Sequence, residues 1–525
     1  MEENNSDTKK DLGNNLESFF NKYFNLILLG TLIFAFILRF KYMNINAAVW
    51  WDEADYLSLA KHFAFGFPEQ AAPWRARFLP MVWSVFYSFG ANETFIRFIE
   101  VLVSGAGVYL TYVLGKTLYN KKVGLLAAIM LAVYFEHLFW SARISLGVYG
   151  LTIWALMGIL FWKGYHQNNK KYLLIVGALY GLGIYTYDSL GFFALFIFVF
   201  MLLTTKFKFL KDKRIWYVIL AAVIAIMPIA IYHYVEFKDT FGESSNVLYS
   251  IYPRIGRFAT ADFNPSEESN LDWQRPKGEV ISEAISYFTQ MPYLMKWPFF
   301  IALLLGLTLL GNLILGFDLI LKGKSGNLKK DLYIILWALS LMIPMGLVVA
   351  TTGFMFEPRL IFPAMPALFV IVGIGFMKLY SLISKYNKQL AIVAVVILLV
   401  LGVQMQLSFA NNLINAKKDS FFQHNVGGTW LKEHTKVGDV IVGCGLAVNL
   451  IYYTEREFKS FGSNATRADE LVEKYKPKYF VMDAFDPGCT IDYPSMYREK
   501  FIPVQVYFLD PAKTMPIMII YEVRY

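Results

Sequence analysis

Residues 19–56 read FFNKYFNLILLGTLIFAFILRFKYMNINAAVWWDEADY. The first twenty of these are almost wholly apolar. At 1.5 Å per helical residue, about 20 residues cross the roughly 30 Å of hydrocarbon in a bilayer. A dozen residues later the character reverses at Trp50-Trp51-Asp52-Glu53-Ala54-Asp55-Tyr56, where three carboxylates fall within four residues beside two indoles. A carboxylate set against an apolar wall resists ionisation and can serve as a general base. The bland alternative is a solvated acidic turn flanked by tryptophans at a lipid–water interface.

The rest of the 525-residue chain repeats the first half of that pattern. Hydrophobic residues make up 56% and charged residues 17%, against about 25% charged in soluble domains. Such a composition excludes a disordered chain and a single soluble enzyme. Eleven apolar windows stand out, at 19–38, 101–118, 123–139, 146–162, 172–187, 190–203, 216–231, 297–317, 332–350, 360–377 and 390–407. A further run, 78–86, is too short to span and reads as a re-entrant or interfacial helix. The expected fold is an α-helical polytopic membrane protein of about eleven transmembrane helices.

The net charge of +9 does not call for nucleic acid, because lysine and arginine fall between the apolar windows. One set of connections holds Lys116, Lys121 and Lys122, then Lys163, Lys170 and Lys171, then Lys206 to Arg214, Lys322 to Lys330 and Lys378 to Lys388. The alternate connections are nearly free of lysine. The positive-inside rule places the basic set in the cytoplasm, with residues 1–18 a cytoplasmic segment and everything after 407 outside, in a multi-pass protein of the plasma membrane. The N-terminal segment lacks the layout of a cleaved signal, so the first window is expected to remain as an anchor. Residues 19–407 form the expected transmembrane domain, with external loops at 39–100 and 233–296.

Residues 408–525 have soluble composition. Strands are expected at 439–443, 478–482, 504–509 and 517–523, the last two a hairpin, with a helix at 465–475 capped by Asn464. Strand–helix–strand order implies a small extracytoplasmic α/β domain. The only two cysteines, Cys444 and Cys489, lie here. An external compartment permits a disulfide between them, while burial as small apolar residues is the alternative.

Further charges sit at the outer ends of windows: Glu136, His137 and Arg143; Asp188; Glu357 and Arg359. Each alone reads as a helix-end anchor, but together they put acids and arginines on one face, around a cavity suited to a phosphate-linked substrate from the lipid. Arg75 and Arg77 could hold phosphate, since guanidinium matches its geometry. In loop 233–296, Tyr249, Tyr252, Arg254, Arg257, Trp273, Arg275, Tyr287 and Tyr293 interleave aromatic and basic character, as an interfacial lid or an ordinary peripheral loop would. Asn92 and Asn464 open glycosylation sequons, which recur by chance.

The WWDEADY stretch after the first window resembles the Asp-Glu motif of the GT-C glycosyltransferases, nearest the protein O-mannosyltransferase and aminoarabinose-transferase families. The likeness continues through RFLPMVWSVFYSFGANETFIR at 77–97 and EPRLIFPAMPALFVIVGIG at 357–375. This chain has Phe78-Leu79 where the families often carry Pro-Pro. It also lacks an acid after Arg143, a place Glu136 or Asp188 would have to fill.

The resemblance implies an inverting transfer of a sugar from a polyprenyl-phosphate donor to a hydroxyl of a protein, lipid or glycan acceptor on the extracytoplasmic face. Asp52 would be the base, and Glu53 would orient it or hold the acceptor. Arg77, Arg359 and Arg143 would bind the donor phosphate, with Asp55, Glu136, His137, Asp188 and Glu357 as accessory groups. No cofactor is required by the resemblance, although Asp52, Glu53 and Asp55 offer oxygen ligands to a divalent cation. Expected partners are the lipid-linked donor, the acceptor and membrane lipids, with no nucleic acid. A polytopic transporter or flippase for lipid-linked or small-molecule substrates is the rival reading. It predicts charged or broken helices at mid-bilayer, and few mid-window charges are seen.

Overall fold

The computed structural model describes residues 18–71, 75–237, 277–316, 318–319, 326–352, 356–445, 447–484 and 489–525. Tyr249, Tyr252, Arg254, Arg257, Trp273 and Arg275 of the expected lid lie outside these residues. Two compact units are present: Met1–Tyr42 with Phe98–Ile414, and Met43–Arg97 with Asn415–Tyr525.

The first unit is helical. Among the described residues nine helices are long and apolar enough to cross a membrane, and a bent pair, Lys121–Val133 with Phe135–Ser141, would make a tenth. The chain is thus a multi-pass membrane protein, and among the described residues ten of the eleven expected windows hold a helix or bent pair of that length. Window 172–187 accounts for the difference. Its helix, Lys170–Ile184, has 15 residues, because the Asn169 side chain caps its start and Tyr185 ends it. That is roughly 22 Å at 1.5 Å per residue, short of the hydrocarbon thickness. Gly177 and Gly181 of this helix lie against Lys213–Phe237. A methyl group at Gly177 would fall 2.2 Å from the Val218 carbonyl oxygen, and one at Gly181 2.6 Å from that of Ala222. Small residues four apart allow such close approach, and packing of this kind replaces the hydrophobic drive that helices in lipid lack.

Two helices of this unit are broken, and one side chain serves both breaks. The bent pair turns by 55° at Tyr134. The Met291–Gly306 helix departs from helical geometry at Lys296, whose φ is 57° and ψ 154°. Gln406, fully buried, accepts from the Phe135 N–H at 3.0 Å and donates to the Leu294 and Met295 carbonyls, each at 3.0 Å. Backbone groups freed inside a bilayer need such partners, since no water is there to supply them.

The second unit joins the first external loop to the tail. A five-stranded sheet runs in the order β2-β1-β3-β5-β4, with β1 Val440–Cys444, β2 Glu457–Ser460, β3 Tyr479–Asp483, β4 Phe501–Phe508 and β5 Pro516–Val523. β1 pairs in parallel with β2 and β3, through the crossover helices Ala447–Thr454 and Ala465–Tyr475, and β5 pairs antiparallel with β3 and β4. Alternate strand residues feed two cores. Ile441, Val481, Met518 and Ile520 pack with Leu431 and Leu450, while Val442 and Phe480 pack with Ala468, Val472 and Phe501. Asn464 accepts from the Arg467 N–H at the start of its helix, and Asn92 accepts from the Phe95 N–H, so both sequon asparagines serve as helix caps. Cys444 and Cys489 are joined in a disulfide that closes a separation of 45 residues. In the chain-entropy account that linkage contributes about 4 kcal/mol.

Hydropathy set the boundary of the tail at residue 408, whereas compactness groups 415–525 with 43–97. Directional bonds fasten the two stretches. Asn449 donates to the Val49 carbonyl at 2.8 Å, the Tyr453 hydroxyl accepts from the Val49 N–H at 2.7 Å, and Gln70 donates to the Phe458 carbonyl at 2.7 Å. Lys61 pairs with Glu455 at 2.8 Å. The short apolar run is the helix Phe78–Ser88 of this unit, burying Leu79, Trp83 and Tyr87.

Candidate active site

The acidic motif forms the first turn of the helix Trp51–Phe65. Glu53 makes the turn: its Oε2 accepts from the Trp50 N–H at 2.7 Å, the carboxylate half of a capping box. Negative charge in a first turn also suits the positive end of the helix dipole. The helix ends at Gly66, whose φ of 72° suits a residue without a Cβ, with its N–H on the His62 carbonyl.

The three carboxylates then diverge. Asp52 and Asp55, three apart, share one face and one guanidinium. Arg75 Nη1 lies 3.0 Å from Asp52 Oδ1, and Arg75 Nε lies 2.7 Å from Asp55 Oδ2. Glu53 turns inward, 2% exposed, with its Oε1 3.3 Å from Arg97, which also holds Glu93 at 2.8 Å. The Tyr452 hydroxyl donates to the other oxygen of Glu93 at 3.0 Å. Glu53 is therefore engaged in capping and ion pairing, while Asp52 keeps 17% of its side chain exposed. Burial raises Asp55 to about 6, with Arg75 opposing and Asp52 and Glu69 adding to the rise. Arg77 is buried and donates to the Ala71 carbonyl at 3.4 Å. Among the described residues no three of His, Cys, Asp and Glu converge as a metal site.

The remaining candidates belong to the helical unit, where most gather around Trp140. Glu136 takes a hydrogen bond from the Trp140 side chain and has Lys296, Glu357 and Arg143 as charged neighbours. Arg359 lies 4.4 Å over the Trp140 ring, with its Nε 2.6 Å from Glu357. Arg143 is buried 3.8 Å over the Phe139 ring and donates to the Phe139 carbonyl at 2.8 Å. Tyr187 and Tyr287 donate to the Arg359 and Glu357 carbonyls, at 2.9 and 3.0 Å, fixing that turn. Two expected members stand apart. His137 faces Arg39, whose Nη2 lies 2.9 Å from His137 Nδ1. Asp188 is exposed in a short 3-10 turn.

Sequence reasoning gave no role to Arg39, Arg97, Lys296 or Gln406. Arg97 closes the 77–97 stretch and was legible only as part of that resemblance. A glutamine inside window 390–407 was the signal for Gln406.

The chain shares its fold with solved membrane glycosyltransferases. Apo ArnT from Cupriavidus metallidurans aligns with a TM-score of 0.63 at 13% identity, covering 95% of this chain and 98% of that one. ArnT from the same organism bound to undecaprenyl phosphate gives 0.61 at 12% identity over 95% and 98%. The Archaeoglobus fulgidus oligosaccharyltransferase AglB, in complex with an inhibitory peptide and a dolichol-phosphate, gives 0.56 at 14% identity over 96% and 75%. At such identities the likeness is one of fold. Residues 77–232 match the family described as dolichyl-phosphate-mannose-protein mannosyltransferase. No curated protein sequence matches the chain.

Proposed function

We propose that this protein is an inverting membrane glycosyltransferase that moves a sugar from a polyprenyl-phosphate donor to an acceptor hydroxyl on the extracytoplasmic face of the plasma membrane. The observation that carries the reading is the Asp52–Arg75–Asp55 arrangement on a helix begun by Glu53, in a chain with the GT-C fold. Asp52 takes the proton of the acceptor hydroxyl. The freed oxygen forms a bond to the anomeric carbon as the bond from that carbon to the phosphate oxygen breaks. The electron pair leaves with the lipid phosphate, and the configuration inverts. Arg75 fixes the orientation of Asp52, and Glu53 fixes the turn that presents it. Arg77, Arg143 and Arg359 are the candidate groups for the phosphate, where negative charge grows in the transition state. Phosphate is a competent leaving group, so this reading needs no resident metal.

The reading is supported by the family match over 77–232 and by the lipid phosphates bound to ArnT and AglB. The test is single turnover of purified protein in nanodiscs with a panel of polyprenyl-phosphate sugars. Release of free polyprenyl phosphate with loss of sugar is expected for one donor class. Retention of every lipid-linked sugar intact would sink the proposal. The orientation is tested separately by a Glu433→Cys variant, expected to react with an impermeant maleimide in intact cells.

A further inference from the structure

The break in the Met291–Gly306 helix carries a lysine. Lys296 adopts φ 57° and ψ 154°, a conformation that a non-glycine residue keeps only where its surroundings hold it. They do so through Gln406, which takes up the two carbonyls just before the break. The side chain is thereby set among three rings: Nζ lies 3.4 Å from the Phe409 centroid, 4.1 Å from Tyr293 and 4.4 Å from Phe135. Only 8% of the residue is exposed. A lysine at a helix end in a membrane ordinarily extends its ammonium to water. This one is drawn into an aromatic enclosure.

Ring faces attract the cation but leave its three N–H donors unmatched. Among the described residues none accepts a hydrogen bond from Lys296 Nζ. Its charged neighbour, Glu136, is engaged by the Trp140 side chain. The surrounding cluster contains Lys296, Arg143 and Arg359 against Glu136 and Glu357. We infer that Lys296 binds the phosphate of the lipid-linked substrate, giving its N–H donors to the phosphate oxygens while the three rings hold its stem and charge in place. The inference rests on the proposed polyprenyl-phosphate donor and adds a binding residue to that reading.

The test is native mass spectrometry of undecaprenyl phosphate on purified wild-type protein and on Lys296→Met, Lys296→Arg, Glu136→Gln and Asp52→Asn. Methionine preserves the packing of the stem on the rings. A charge-assisted hydrogen bond is worth about tenfold or more in affinity. Wild type and Asp52→Asn are expected to bind alike, Lys296→Met at least tenfold more weakly, and Lys296→Arg between them. Glu136→Gln is expected to bind as tightly as wild type or more so, because a competing carboxylate is gone. Unchanged affinity in Lys296→Met, with wild type binding, would overturn this inference and leave the enzyme reading standing. Equal weakening in Lys296→Met and Glu136→Gln would also overturn it, by showing that the two merely hold each other. No binding by wild type would remove both.

Discussion

The two units hold several of their buried charges differently. In the loop-and-tail unit, carboxylates are met by guanidinium groups: Asp52 and Asp55 by Arg75, Glu53 and Glu93 by Arg97. In the helical unit, Arg143 lies over Phe139, Lys296 lies among Phe135, Tyr293 and Phe409, and Arg359 lies over Trp140 while paired with Glu357. Ion pairing saturates both partners and fixes them in space. A ring face steadies a cation yet leaves hydrogen-bond capacity for something else.

The sharpest way to break this contrast is Asp52→Asn. It should lower single-turnover transfer by about 10²- to 10⁴-fold, the usual worth of a general base, with membrane insertion and melting temperature unchanged. Normal turnover would take the base role from Asp52. Next in size is Arg97→Met, which leaves the buried Glu53 carboxylate without its cation. Loss of one member of a buried pair costs about 3–5 kcal/mol, so a marked drop in melting temperature is expected, read by intrinsic fluorescence. Arg359→Met should behave differently, costing stability less than about 1 kcal/mol because its Glu357 pair is partly exposed. If both variants melt alike, the contrast between the units is false.

A further test concerns pH. Asp55 is raised from 3.8 to about 6, mainly by burial. The folded protein therefore holds this proton more tightly than the unfolded chain does. Its contribution to stability is complete below pH 3.8 and is lost as pH rises through about 6. Asp55→Asn should flatten the melting-temperature profile between those values. A profile identical to wild type would show that Asp55 does not titrate there.

Most of the fold was legible because lipid imposes one requirement on long segments, and ten of the eleven apolar windows meet it as a long helix or a bent pair. Window 172–187 failed because an asparagine cap and a tyrosine end shorten its helix, and hydropathy averages over such local chemistry. In the tail, the helix at 465–475 was readable from its Asn464 cap. Strand β2, reading EFKS, was not, being a short edge strand with two charges in four residues. The helix Phe422–His434 follows Phe421, which has a left-handed φ of 64° and no capping side chain to announce it.

The site was legible to the extent that chemistry lies in contiguous residues. WWDEADY marks itself. The sharing of Arg75 by two aspartates does not, because it depends on how the chain returns 20-odd residues later. Lys296 was hidden for another reason. A lysine at the edge of an apolar window looks like an ordinary anchor, and only the backbone break turns it toward the rings.

The bond from Asn449 to Val49 spans 400 positions of the sequence. At about 5–20 residues per second of translation, the loop bearing Asp52 leaves the ribosome roughly 20–80 seconds before its partners in the tail are made. During that interval the nascent loop lacks the strands and helices it will pack against, so the unit of residues 43–97 and 415–525 completes its fold only after the second of these stretches has been made.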